Sequence, residues 1–280
     1  MAKDKIVEQL LDSYQRIFTQ QIEQGELSTW AQHKKNNPNE LVRPTIPFVG
    51  KNYSTQKTKI LLYASAENLS DYLNEKKGGG WLDDDAKAIN RHRWYKDLSN
   101  NFFPWVHITP INDGSLLIVL RYICERLHID MPDNPNDFME NIAFANFGKF
   151  SIEVHDGKNR DPKGRKVLDF YIEYVKQDIS LLRPNIIVMF NSIYKTEKQN
   201  IEAIKGNAKI IRIYQINKTT VSKIISKNPL YPPIDAALLS PTIRNWYSDD
   251  HFKSYTGNHY KNFLSVFTYL DKIISKQIHE

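Results

Sequence analysis

Apolar residues recur along this chain at two different periods, and the alternation between the two sets out its elements. Over residues 3–24, Ile6, Leu10, Leu11, Tyr14 and Phe18 fall three or four apart, which predicts an amphipathic helix. Helical spacing returns over 115–127, 167–182, 195–205 and 260–278, the last with Phe263, Phe267, Leu270 and Ile274 on one face. Asp113, Gly114 and Ser115 cap the first of these four, and Arg183-Pro184 stops the second. Between the helices lie continuous apolar runs: KILLYA at 59–64, IAFAN at 142–146, IIVMF at 186–190 and AKIIRIYQI at 208–216. Apolar runs without polar alternation predict strands buried on both faces, as in a parallel sheet. WVHI at 105–108 reads as a further short strand, and DDDAKAINRHRWYKDL at 83–98 as a helix whose acids suit its positive end. The proline-broken stretches 33–57 and 217–250 read as irregular connections.

Strands that alternate with helices cross over right-handed and build a parallel sheet covered on both faces. The expectation is one α/β domain over 1–280, with 1–45 as N-terminal helix and linker and 46–280 as the core. Ligands of such sheets bind at the carboxyl ends of the strands. The residues following the four runs therefore converge: Ser65 to Asn68, Asn146 to Lys149, Asn191 with Ser192, and Gln215 to Asn217.

Charge narrows the partners. Lys and Arg number 38 against 32 Asp and Glu, a net +6, which favours a polyanion such as nucleic acid and also suits an ordinary solvated surface. The single cysteine, Cys124, lies in the apolar helix 115–127 and reads as a core thiol. One cysteine excludes an intrachain disulfide, a cysteine zinc site and an iron–sulfur cluster, and fits a cytoplasmic location. No apolar run reaches the ~18 residues of a membrane span, and the first residues lack a signal-peptide pattern. Phosphate-loop, HExxH and GxSxG motifs are absent, and the histidines do not fall at metal-ligand spacing. No cofactor, metal or membrane partner is expected.

Several segments, in order over residues 45–275, resemble the uracil-DNA glycosylase superfamily. KILLYASAEN takes the place of its first strand and catalytic loop, and AFANFGKFS that of its asparagine-bearing strand end. SLLRPNIIVMFN resembles the helix-to-strand passage, and SPTIRNWYSDDHF with GNHYKNFLSVFTYL the final DNA-inserting loop and helix. The resemblance implies a three-layer α/β/α fold with a central four-stranded parallel sheet, and a DNA glycosylase leaving an abasic site. SAEN lacks the glycine and proline of the family loop, and where the family's final loop begins His-Pro-Ser this chain has Ser240-Pro241, with His251 and His259 further on. That points to a base other than uracil, or to a binding domain without the chemistry.

Bond cleavage between base and sugar builds positive charge on the deoxyribose and negative charge on the base. A carboxylate serves the first, or orients the attacking water, and hydrogen-bond donors serve the second. The resemblance implies Glu67 as the carboxylate, Asn68 as its helper, and His251 or His259 as donor to the leaving base. A flipped base needs a stacking ring and polar edge readers. Trp105 and His107 stand where the family stacks its base, Asn146 offers an amide donor and acceptor, and Ser65 and Lys149 complete the base-binding set. Each has a plainer alternative: Glu67 as a helix cap, Asn146 as a turn residue, Lys149 as a surface lysine, Trp105 as core. Lys158, Arg160, Lys163, Arg165 and Arg244 are the candidate phosphate contacts. The acids of the insertion KGGGWLDDD accept hydrogen bonds from sugar hydroxyls, and with them the resemblance implies a hypermodified phage base and a role in phage defence. A nucleoside deoxyribosyltransferase-like enzyme, which also uses a carboxylate, is the remaining alternative.

Overall fold

The computed structural model describes residues 2–24, 46–66, 114–149, 165–216, 218–227, 229–248, 250, 253 and 257–279. Among these, five strands form one sheet: β1 Phe48–Val49, β2 Ile60–Ala66, β3 Ala143–Gly148, β4 Ile186–Phe190 and β5 Lys209–Ile213. The helices are α1 Ala2–Glu23, α2 Gly114–Arg126, α3 Pro135–Met139, α4 Arg165–Leu182, α5 Asn191–Ile204, α6 Lys218–Ile225, α7 Pro241–Ser248 and α8 Leu264–His279. The strand order is β1-β3-β2-β4-β5. The four apolar runs of the sequence are the four adjacent strands β3-β2-β4-β5, all parallel.

Because side chains alternate along a strand, the sheet sorts them into two cores. Ile60, Leu62, Phe144, Val188, Phe190, Ile211 and Ile213 face α2, α6, α7 and α8. Leu61, Tyr63, Ala145, Phe147, Ile187 and Met189 face α1, α4 and α5. Helices thus cover both faces in three layers. Each buried Leu, Ile or Phe adds about 1.5–3 kcal/mol, and neither face of the central strands has a polar row. That is why these strands read as unbroken apolar runs.

The structure corrects the sequence reading in two places. The sheet is mixed and five-stranded rather than four-stranded and parallel, since β1 pairs antiparallel with β3, Phe48 opposite Phe144. Two residues are too few to show a period. Main-chain contact fixes the strand: the Gly50 N–H donates to the Ile142 carbonyl at 2.9 Å. A Cβ on Gly50 would lie 2.2 Å from the Glu140 carbonyl oxygen, so only glycine fits there.

The stretch 217–250 is also more ordered than its prolines suggest, holding α6, α7 and a 3-10 turn at Ala236–Leu238. Pro241 opens α7 instead of breaking it, as proline does at a first helical position. Ser240 is its cap, with the Ile243 N–H donating to Ser240 Oγ at 3.2 Å. At the opposite sheet edge, Gln277 of α8 stands in for a missing strand. Its Oε1 accepts from the Arg212 N–H at 2.7 Å and its Nε2 donates to the Arg212 carbonyl at 3.3 Å. No helix among the described residues is long and apolar enough to cross a membrane.

Candidate functional site

The carboxyl edge of the sheet is set by strand order. β2 lies between β3 and β4. The connection after β2 runs through α2 on one face, and the connection after β4 runs through α5 on the other. Adjacent strands whose connections leave on opposite faces open a crevice at their carboxyl ends. Here those ends are Ala66 of β2 and Phe190 of β4, the latter followed at once by Asn191 of α5.

Along the other side of β2, Ala64 lies opposite Asn146 and Ala66 opposite Gly148. Ser65 sits in β2 between these two pairs. Asn146 is half-buried, and alternation from Phe144 puts its side chain on the face of α2, α7 and α8. Glu67 is the next residue along the chain from β2.

Lys149 behaves differently from expectation. As a phosphate or pocket contact, or a surface lysine, it would be accessible. Instead it is fully buried, and its Nζ lies 2.5 Å from Oδ2 of Asp178, whose side chain is also 0% exposed. Tyr63 donates to the same oxygen at 2.9 Å, and Tyr14 donates to Oδ1 at 2.7 Å. The rings of Tyr63 and Tyr14 flank the ammonium, with centroids 5.4 and 5.7 Å from Nζ. The correction has a simple physical cause. Lys149 follows Phe147 to the face of α1 and α4, where a carboxylate waits, so it does not share a face with Asn146.

Burial lowers the Lys149 amine below its ordinary range, against the attraction of Asp178. Burial likewise raises the Asp178 carboxyl, against Lys149 and the two phenol donors. Desolvation therefore outweighs pairing on both partners. The cluster ties together α1, β2, the end of β3 and α4. It was missed in the sequence, although a signal was there. Tyr171, Tyr174, Val175, Asp178, Ile179 and Leu182 share one helical stripe, and Asp178 is the one charge in it.

Of the other candidates, Arg165 is the first residue of α4, and Arg244 is exposed on α7. His259 is half-buried in the 3-10 turn Gly257–Phe263 that leads into α8. Glu67, Asn68, Trp105, His107, Lys158, Arg160, Lys163 and His251 lie outside the described residues, as do the WVHI strand, the 83–98 helix and the KGGGWLDDD insertion. Among the described residues no group of three or more His, Cys, Asp or Glu is arranged to hold a metal ion. Cys124 is buried, and burial pushes its thiol up to about 12, so it is no nucleophile at neutral pH.

The segment Ser240-Pro241-Thr242, where the resemblance implies a DNA-inserting loop, is anchored from below. Arg121, 5% exposed, pairs with Glu125 at 2.8 Å, donates to the Pro132 carbonyl and reaches Asp133 at 3.4 Å. Ser240 Oγ donates to Glu125 at 2.8 Å, and Thr242 Oγ1 donates to Asp133 at 2.5 Å. The start of α7 is thus locked to α2 through one buried guanidinium.

No protein-family model matches this chain, and no curated protein matches it.

Proposed function

We propose that this protein is a DNA N-glycosylase on a uracil-DNA glycosylase-like scaffold, hydrolysing the bond between a modified base and its sugar to leave an abasic site. The observation that carries the reading is the pairing of β2 with β3, Ala64 opposite Asn146, at the carboxyl edge of a parallel sheet. It supports a carboxylate from the segment that follows β2, Glu67, working beside an amide on the neighbouring strand.

In this reading Glu67 stabilises the positive sugar and orients the water that attacks C1′. The base departs with the electrons of the broken C1′–N bond, and a histidine donor, His251 or His259, supplies hydrogen bonding to it. Asn146 reads the edge of the flipped base. The acidic insertion KGGGWLDDD fits a sugar-bearing base of phage DNA, and a cytoplasmic, defensive role goes with it. The burial of Lys149 takes one cation out of the base-binding set; the second reading is a nucleic-acid-binding domain without chemistry on the same scaffold.

A panel of oligonucleotides carrying different modified bases, glucosylated ones included, scored by alkali cleavage, tests the proposal. Cleavage at one class of modified base is expected. Binding of DNA with no abasic site on any member of the panel selects the second reading.

A further inference from the structure

A cavity of about 580 Å³ opens between the carboxyl end of β5, α6 and α8. It lies on the far side of β4 from Asn146 and shares Asn191, the first residue of α5, with the crevice described above; its lining chemistry is argued without the excision reading. Its volume is that of a small-ligand pocket, about 300–1,000 Å³.

The floor is aromatic. Tyr269 is buried, and Tyr214 stacks on it with centroids 5.7 Å apart and planes 17° from parallel. Tyr231 meets Tyr269 edge-on at 5.5 Å and 82°. Tyr214 is 46% exposed, an unusual surface for a large ring, so one of its faces is held by Tyr269 while much of the ring stays open.

The rim is cationic. Lys223, Lys227 and Lys276 line it, and no carboxylate does among the described residues. Among the described residues, none of these three ammonium groups makes a salt bridge or side-chain hydrogen bond. Elsewhere on the molecule lysines find partners: Lys205 pairs with Glu202, Lys253 with Asp250, and Lys272 donates to the Leu230 carbonyl. Three cations around one concavity focus positive potential into it. Arg212 adds to that field, although its guanidinium already reaches Gln277 and lies 4.9 Å over the Tyr194 ring.

A cation rim over an open aromatic face matches a ligand that carries an anion and a planar ring together. The geometry points to a nucleotide site: the three lysines take the phosphate, and the base stacks on Tyr214. Asn191, also on the wall, offers an amide donor and acceptor toward the base edge. The same chemistry is presented by a free nucleotide and by one unit of a single strand.

Titration calorimetry of the whole protein with thymidine 5′-monophosphate, a short single-stranded oligodeoxynucleotide and inorganic phosphate tests this. Saturable binding of the mononucleotide or the oligonucleotide is expected, at least tenfold tighter than inorganic phosphate. Binding by both assigns a free-nucleotide site, and binding by the oligonucleotide alone assigns a strand-tracking one. Lys223→Ala, Lys227→Ala and Lys276→Ala together should weaken it at least tenfold. Tyr214→Ala should weaken nucleotide but not phosphate. All four side chains are exposed, so the fold tolerates their loss. Nucleotide and oligonucleotide both no tighter than phosphate, or unaffected by the triple variant, overturn the inference.

Discussion

Lys149 and Asp178 meet at 2.5 Å with neither side chain exposed, 29 residues apart in sequence and on different elements. Burial opposes the charge on both, so the pair orients α1 and α4 on the sheet more than it adds net stability. Removing one partner leaves an uncompensated buried charge, which costs about 3–5 kcal/mol, whereas replacing both with apolar residues is often neutral. Lys149→Met and Asp178→Leu should therefore each destabilise strongly. The double variant removes both charges but still leaves the Tyr14 and Tyr63 hydroxyls without their acceptor, so in urea denaturation it should be more stable than Asp178→Leu alone. A double variant at the sum of the two losses would refute this account of the pair.

Alkaline pH should unfold the protein through its tyrosines. Burial raises Tyr14 and Tyr63 well above 10.0, with Asp178 adding to the shift, and raises Tyr53 and Tyr122 as well. Tyr247 is pushed up to about 12. Below the unfolded value near 10 these five phenols are protonated in both states. Above it the unfolded chain loses protons that the folded one keeps, so stability falls as pH rises through the folded values. Ultraviolet titration should show these buried tyrosines silent until a cooperative unfolding above pH 10. Smooth, reversible ionisation of all tyrosines near pH 10 in the folded protein would contradict it.

Arg121 should be irreplaceable by lysine. Its fork reaches Glu125, the Pro132 carbonyl and Asp133 together, and through the two acids it holds Ser240 and Thr242. A lysine is a point charge on a flexible stem and does not span that set. Arg121→Lys should cost about 1–3 kcal/mol, and hydrogen exchange should speed first in α7. Uniform exchange across the fold would mean that the network does not anchor α7.

The legible part of the fold is the part whose energetics are periodic. IIVMF is β4 to the residue, and KILLYA is β2, which runs two residues further to Ala66. AKIIRIYQI was read too long: pairing stops at Ile213, because Tyr214 leaves the sheet to stack on Tyr269. Where structure rests on main-chain fit, as at Gly50, or on a proline at a helix start, as at Pro241, hydrophobic spacing carries no trace of it. The carboxyl edge of the sheet was legible in the sequence, and the directions of its side chains were less so. The strand ends gather Ser65 and Asn146 on paired strands, but only three-dimensional packing reveals that Lys149 turns away to Asp178.

In the proposed excision reaction Glu67, the residue that follows β2, supplies the carboxylate. Release of base from a cleavable modified oligonucleotide should be followed in single turnover for wild type and Glu67→Gln, with DNA binding measured alongside. The proposal predicts excision slowed at least a hundredfold, in line with the loss of a positioned acid–base group, and binding unchanged within a few-fold. Equal excision rates for the two proteins would contradict it.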